Sequence, residues 1–172
     1  FIDMVGAGGT LGVDVIKDYT IAQTDELVEF SHGNLELLAA VSDIVDPKDG
    51  DSVGNTAALA ITAASATGAA LDLTGLADGK NFLLVSTNYA SAAAFQDDVR
   101  AHVTGPAAFA AGDAFFAAYD DGANTTVALV STAAGLTGKA LITDAVVTPI
   151  ITLEGLADAT TITDGTLGAM VA

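Results

Sequence analysis

Apolar residues along this chain recur at every second position or in short unbroken runs, and one stretch keeps a clear helical period. Residues 1–30 read as short strands separated by glycine-rich corners at Gly6 to Gly9 and at Gly12, with apolar positions at Phe1, Met4, Leu11, Val13, Val15 and Tyr19. Leu35, Leu38 and Val41 share one face of a short helix expected over 34–44. Strands are expected over 59–63 and 69–73, and the run 81–87 reads as a fully buried strand. The best helix spans 90–103. Asn88 or Ser91 can cap it, Phe95, Val99 and Val103 form its stripe, and Gly105-Pro106 ends it. Asp97 and Asp98 face away from that stripe and are expected in solvent, with His102 at or near the surface beside its end.

The remaining pattern is also strand-like. Residues 113–131 form a hairpin signal: an apolar run enters Asp120-Asp121-Gly122-Ala123-Asn124, and β-branched residues return from it. Asp120 and Asp121 are turn formers first. Asn124-Thr125-Thr126 fits the N-glycosylation pattern, but the turn accounts for it. A Val/Ile/Thr-rich strand over 145–153 contains Pro149, which implies an edge or a bulge. Leu73-Thr-Gly-Leu-Ala-Asp78 and Leu153-Glu-Gly-Leu-Ala-Asp158 echo one another after strands. The fold class expected from pattern is mainly β with one substantial helix.

Charge changes the picture of partners. The 172 residues carry 22 acids against 5 basic residues, a net charge of −17, so no basic patch exists to neutralise nucleic-acid phosphates or an anionic membrane surface. Cations are favoured instead. Mean hydropathy is nevertheless +0.53, largely through alanine, and aromatics are scarce. The absence of cysteine removes disulfides, thiolate metal sites and cysteine nucleophiles. No N-terminal signal peptide is visible, and no membrane span is expected, since the nearest candidate, 57–77, is diluted by Thr, Ser and Gly and broken by Asp72.

Two acidic stretches are candidate cation sites. In 15–30, Asp18 precedes Tyr19, a polar turn follows, and Asp25 leads back into an alternating segment. Oxygen ligands where the backbone bends suit a hard cation such as Ca²⁺, although an ordinary hairpin with solvated acids accounts for the same residues. In 43–55, Asp46, Asp49 and Asp51 lie close together, but Lys48 and Gly50 occupy positions where an EF-hand needs oxygen ligands. A solvated acidic loop is expected there, with a looser cation site as the alternative. The chain has no Gly-x-Ser-x-Gly elbow, His-Glu-x-x-His or Walker loop, and neither His32 nor His102 is expected to serve as a metal ligand. No acid pair stands out for glycosidase chemistry. The expectation is that the chain is not an enzyme.

Residues 15–31, with Ile16-Lys17-Asp18-Tyr19 followed by a turn and Asp25-Glu26-Leu27-Val28, resemble the segment that closes the calcium-bound β-roll of RTX-type secreted bacterial proteins, above all RTX-type S-layer proteins. The order of the helix near 90–103, the hairpin at 113–131 and the closing 151–163 is similar as well. The family's Gly-Gly-x-Gly-x-Asp nonapeptide is not in the chain, and Val28, or Glu29 if one residue is inserted, stands where a second acid is usual. The resemblance implies the end of a parallel β-roll (1–31) continuing into an antiparallel sheet or sandwich (32–172), with a divergent insertion at about 43–78 and a secretion-signal-like tail. It implies Ca²⁺ as cofactor with Asp18 and Asp25 as ligands, and a secreted, cell-surface structural subunit of an S-layer or filament. Its partners would be further copies of itself, a type I secretion machinery and cell-surface glycan. The alternatives are a secretion or capping module of a larger secreted enzyme and a calcium-dependent adhesin domain.

Overall fold

The computed structural model describes residues 13–17, 30–31, 41–53, 61–64, 70–162 and 170–171. In chain order the strands are β1 (Asp14–Ile16), β2 (Phe30–Ser31), β3 (Asp43–Ile44), β4 (Ile61–Ala64), β5 (Leu71–Asp72) and β6 (Phe82–Asn88). Helix α1 (Ala92–His102) follows, then β7 (Val103–Gly105), β8 (Asp113–Asp120), β9 (Asn124–Thr132), β10 (Ala140–Leu141), β11 (Ala145–Glu154) and β12 (Met170–Val171). The described chain is mainly β.

The hairpin β8–β9 is the centre. Asp121 closes it: its backbone N–H donates to the Asn124 carbonyl at 3.0 Å, and its carboxylate accepts from the N–H of Ala123 and Asn124 at 2.8 and 2.7 Å. Gly122 takes a φ of +87°, where a side chain would be strained. All eight residues of β8 are buried, so both faces of the sheet are covered. That two-sided burial explains why the run carries little polar alternation.

Around the hairpin a seven-stranded sheet runs β1-β11-β9-β8-β6-β4, with β3 also on β8. β9 runs antiparallel to both β8 and β11, whereas β1, β3, β4 and β6 join their neighbours in parallel. The large sheet is therefore mixed rather than antiparallel. A parallel crossover needs a connection long enough to return, and α1 supplies it between β6 and β8. Smaller sheets are β10-β7-β5 and β12-β2.

One face of the sheet buries Ile44, Phe82, Phe116, Leu129, Ile151 and Leu153 beneath Val41, Leu156, Ala159 and Ile162. The other buries Leu83, Val85, Phe115 and Val130 against Phe95 and Val99 of α1, together with Leu73, Phe109 and Ile142. Phe82 and Phe116 stack with centroids 6.0 Å apart. Ser91 caps α1, its hydroxyl accepting from the Ala94 N–H at 3.2 Å. The helix stops at His102, before the expected Gly105-Pro106, because Val103 to Gly105 pair with β5 and β10 instead. Gly105 is there for space: a Cβ would lie 2.8 Å from Leu136 Cδ1.

Pro149 marks a bulge. The β11–β9 register shifts between Pro149 and Ile151, and Ile150 and Ile151 both enter the first core. Before the bulge, Ala145 and Val147 face the helix; after it, Ile151 and Leu153 face away from it. The two echoed Leu-x-Gly-Leu-Ala-Asp segments share a turn, with the N–H of Leu76 donating to Leu73 O at 3.0 Å and that of Leu156 to Leu153 O at 3.4 Å. They differ at the glycine, since Gly155 has a φ of +84° and Gly75 has no positive φ.

Several expectations change. Residues 43–44 are strand β3, not the end of a helix, because they pair with Asp113 and Ala114. The rest of the expected helix, 34–40, lies outside the described residues. The segment expected as an insertion contributes Ile44, Val45 and Leu73 to the cores. Of the expected β-roll end, 13–17 and 30–31 are described; β1 pairs in parallel with β11, and a stacked roll is not seen among the described residues. No helix among the described residues is long and apolar enough to cross a membrane.

Close backbone approach gives a direct test of the packing. Gly135 has a φ of +72°, and a Cβ there would lie 2.8 Å from Phe109 O and 2.9 Å from Ala110 C and Ala111 N. Gly135→Ala is expected to lower stability by about 2–4 kcal/mol in urea unfolding, through backbone strain and overpacking. Gly138→Ala, with nothing within 4 Å of its Cβ, is expected to stay within ~0.5 kcal/mol of the parent. Equal midpoints for the two variants would contradict the packing described.

Candidate cation site

After β3 the chain turns back on itself. Val45 forms an antiparallel bridge with Ser52, the Asp46 N–H donates to Asp51 O at 2.9 Å, and the Gly50 N–H donates to Asp46 O at 2.8 Å. Gly50 sits at a φ of +80° against Ala108 and Phe109. Asp49 Oδ1 accepts from the Asp51 N–H at 3.0 Å. These are the short-range bonds expected of aspartate in turns.

Asp46 is different. It is 2% exposed, so the expectation of a solvated acid fails at this residue. Its Oδ1 accepts from the Lys48 N–H at 2.8 Å, and its Oδ2 accepts from the N–H of Gly79 and Lys80 at 2.5 and 3.1 Å. A buried carboxylate is tolerable only when bonded in this way. The result is a staple between the 45–52 loop and the turn before β6, where Gly79 adopts a φ of +69°.

That staple brings a third acid alongside. Carboxylate oxygens of Asp46, Asp49 and Asp78 all lie within 4.8 Å of one another, Asp46 buried, Asp49 half-buried and Asp78 exposed. An open cleft beside them is lined also by Asp51, Ser52 and Asn81. An oxygen-only donor set fits a hard cation, and a cation as adaptable as Ca²⁺ can complete its shell of about 6–8 oxygens with water. Asp46 Oδ1, with one N–H bonded, keeps capacity for such a ligand, whereas Oδ2 already receives two. Lys48 Nζ lies 3.4 Å from Asp78 Oδ2 and supplies positive charge at the same place. An entering cation would compete with that ammonium.

Asp18 and Asp25 lie outside the described residues, so their geometry does not enter here. The 43–55 loop was recognisable from sequence, but Asp78 was not. Its only signal was the Asp78-Gly79 pair, an ordinary turn dipeptide distant in the chain.

A second polar cluster also departs from expectation. Asp98 is not simply solvated: Tyr89 donates its phenol to Oδ2 at 2.5 Å, and His102 Nδ1 lies 2.7 Å from Oδ1. Asp98 and His102 are four residues apart on α1, so His102 does have a helical partner. Burial, reinforced by the Asp98 carboxylate, pushes the Tyr89 phenol well above its usual range. Tyr89 also packs against Phe95, with centroids 5.1 Å apart, so the cluster fastens the helix to the end of β6.

Elsewhere acids serve turns. Lys139 and then Thr74 hold the Asp72 carboxyl below its ordinary range. Backbone N–H groups of Asn124 and Ala123 lower Asp121 in the same direction. Asp158 and Asp72 each cap a short 3-10 turn.

Two predictions follow from this geometry. In calcium-free buffer, Asp46→Ala is expected to cost about 2–4 kcal/mol by stranding the three N–H groups it serves, whereas Asp49→Ala stays within ~1 kcal/mol; urea midpoints decide. For Asp121 the folded-state pKa is depressed, so its contribution is complete above the unfolded carboxylate range and is lost as pH falls through and below it. Asp121→Asn is therefore expected to flatten the loss of stability between pH ~7 and pH ~3, measured as urea midpoints against the parent. A parallel displacement of the two curves would remove Asp121 from the account of acid sensitivity.

In comparisons with known proteins, no family model, no curated protein and no solved structure matches this chain.

Proposed function

We propose that this chain is a structural module of a secreted, cell-surface assembly of S-layer or filament type, in which Ca²⁺ supports folding and self-association. The observation that carries the reading is the meeting of Asp46, Asp49 and Asp78 from two separate turns. A divalent ion there would join the 45–52 loop to the 78–80 turn and relieve repulsion among three carboxylates. The net charge of −17 adds support, since such a surface gains from bound cations in any close contact between copies. The resemblance of residues 15–31 to a β-roll-closing segment supplies the remainder: residues 1–31 as the end of a parallel roll, Asp18 and Asp25 as further ligands, and export by a type I machinery. The module is read as non-catalytic. Its buried acids, Asp46, Asp113 and Asp120, are each bonded to backbone N–H groups in turns, which favours structural roles for them.

Thermal unfolding with CaCl₂, and with NaCl at matched ionic strength, tests the cation. Calcium is expected to raise Tm beyond the salt control, with about 2.7 kcal/mol of stabilisation at a hundredfold excess over Kd for one site. The double variant Asp49→Asn/Asp78→Asn is expected to lose the part of the shift that arises at this cluster, and Lys48→Met to enlarge it by removing the competing ammonium. A parent protein with no calcium-specific shift would refute the cation reading.

Assembly is a separate matter, read by sedimentation velocity with calcium and with chelator across protein concentration. Larger species are expected with calcium alone. A monomer under every condition would exclude self-assembly by this chain.

A further inference from the structure

We draw no further inference here: the strongest candidate, the groove on the helix-covered face of the large sheet between β1 and the first turn of α1, is lined mainly by Val13, Val15, Tyr89, Tyr119 and Pro149, and nothing in the structure shows what covers it.

Discussion

Two-sided burial of the β8–β9 hairpin is the constraint from which the other layers follow. A half-buried hairpin could stand with one covering layer, but a strand buried at every residue needs two. Each large side chain placed out of water contributes roughly 1.5–3 kcal/mol, and β8 presents Phe116 to one side and Phe115 and Tyr119 to the other. Helix α1 and the β10-β7-β5 sheet lie toward the second side. The 41–53 and 156–162 segments close the first, where the Thr125 hydroxyl donates to Leu156 O at 2.7 Å and ties that cover to β9. Alanines at 114, 117 and 118 keep β8 thin enough for both covers to approach.

The bulge at Pro149 and the staple at Asp46 solve problems created by that arrangement. β11 must supply small and β-branched residues to the helix side at one end and larger ones to the opposite side at the other. A regular strand cannot do so with odd-numbered residues throughout, because side-chain direction alternates strictly. One extra residue resets the alternation, so Ile151 and Leu153 take the face that Ala145 and Val147 do not. Asp46 lies just beyond Ile44 and Val45, which enter opposite cores. Where the chain passes from one cover to the other its backbone donors need acceptors, and one carboxylate provides them for Lys48, Gly79 and Lys80.

What could be read from the residues alone divides along the same physical line. The hairpin, the 82–88 strand and the capped helix depend on local signals: turn chemistry, a capping serine and a stripe at helical spacing. Those were legible. Residues 43–44 were not, because Val41 and Ile44 fit a helical face equally well and only pairing with β8 decides between helix and strand. Mixed strand direction was hidden for the same reason, since parallel neighbours are chosen by distant contacts. Asp98 shows the limit for polar groups: its position on the outer helix face was readable, but the phenol of Tyr89 folding back over it was not. Asp78 likewise joins Asp46 and Asp49 only through the fold.

The acidity itself then divides into two kinds. Eighteen of the 22 acids are aspartate, the side chain short enough to reach a backbone N–H two residues on. Asp46, Asp49, Asp72, Asp120, Asp121 and Asp158 all make that contact. Six of the 22 acids are therefore accounted for by turns, without any metal. This narrows where a cation matters. An isolated turn aspartate already has its donors and gains little from an ion, whereas three carboxylates within 4.8 Å repel one another and have one lysine among them. Net charge favours cations everywhere on the surface, but only crowded carboxylates make one particular place favourable. Among the described residues, carboxylates crowd in this way at the staple between the 45–52 loop and the 78–80 turn.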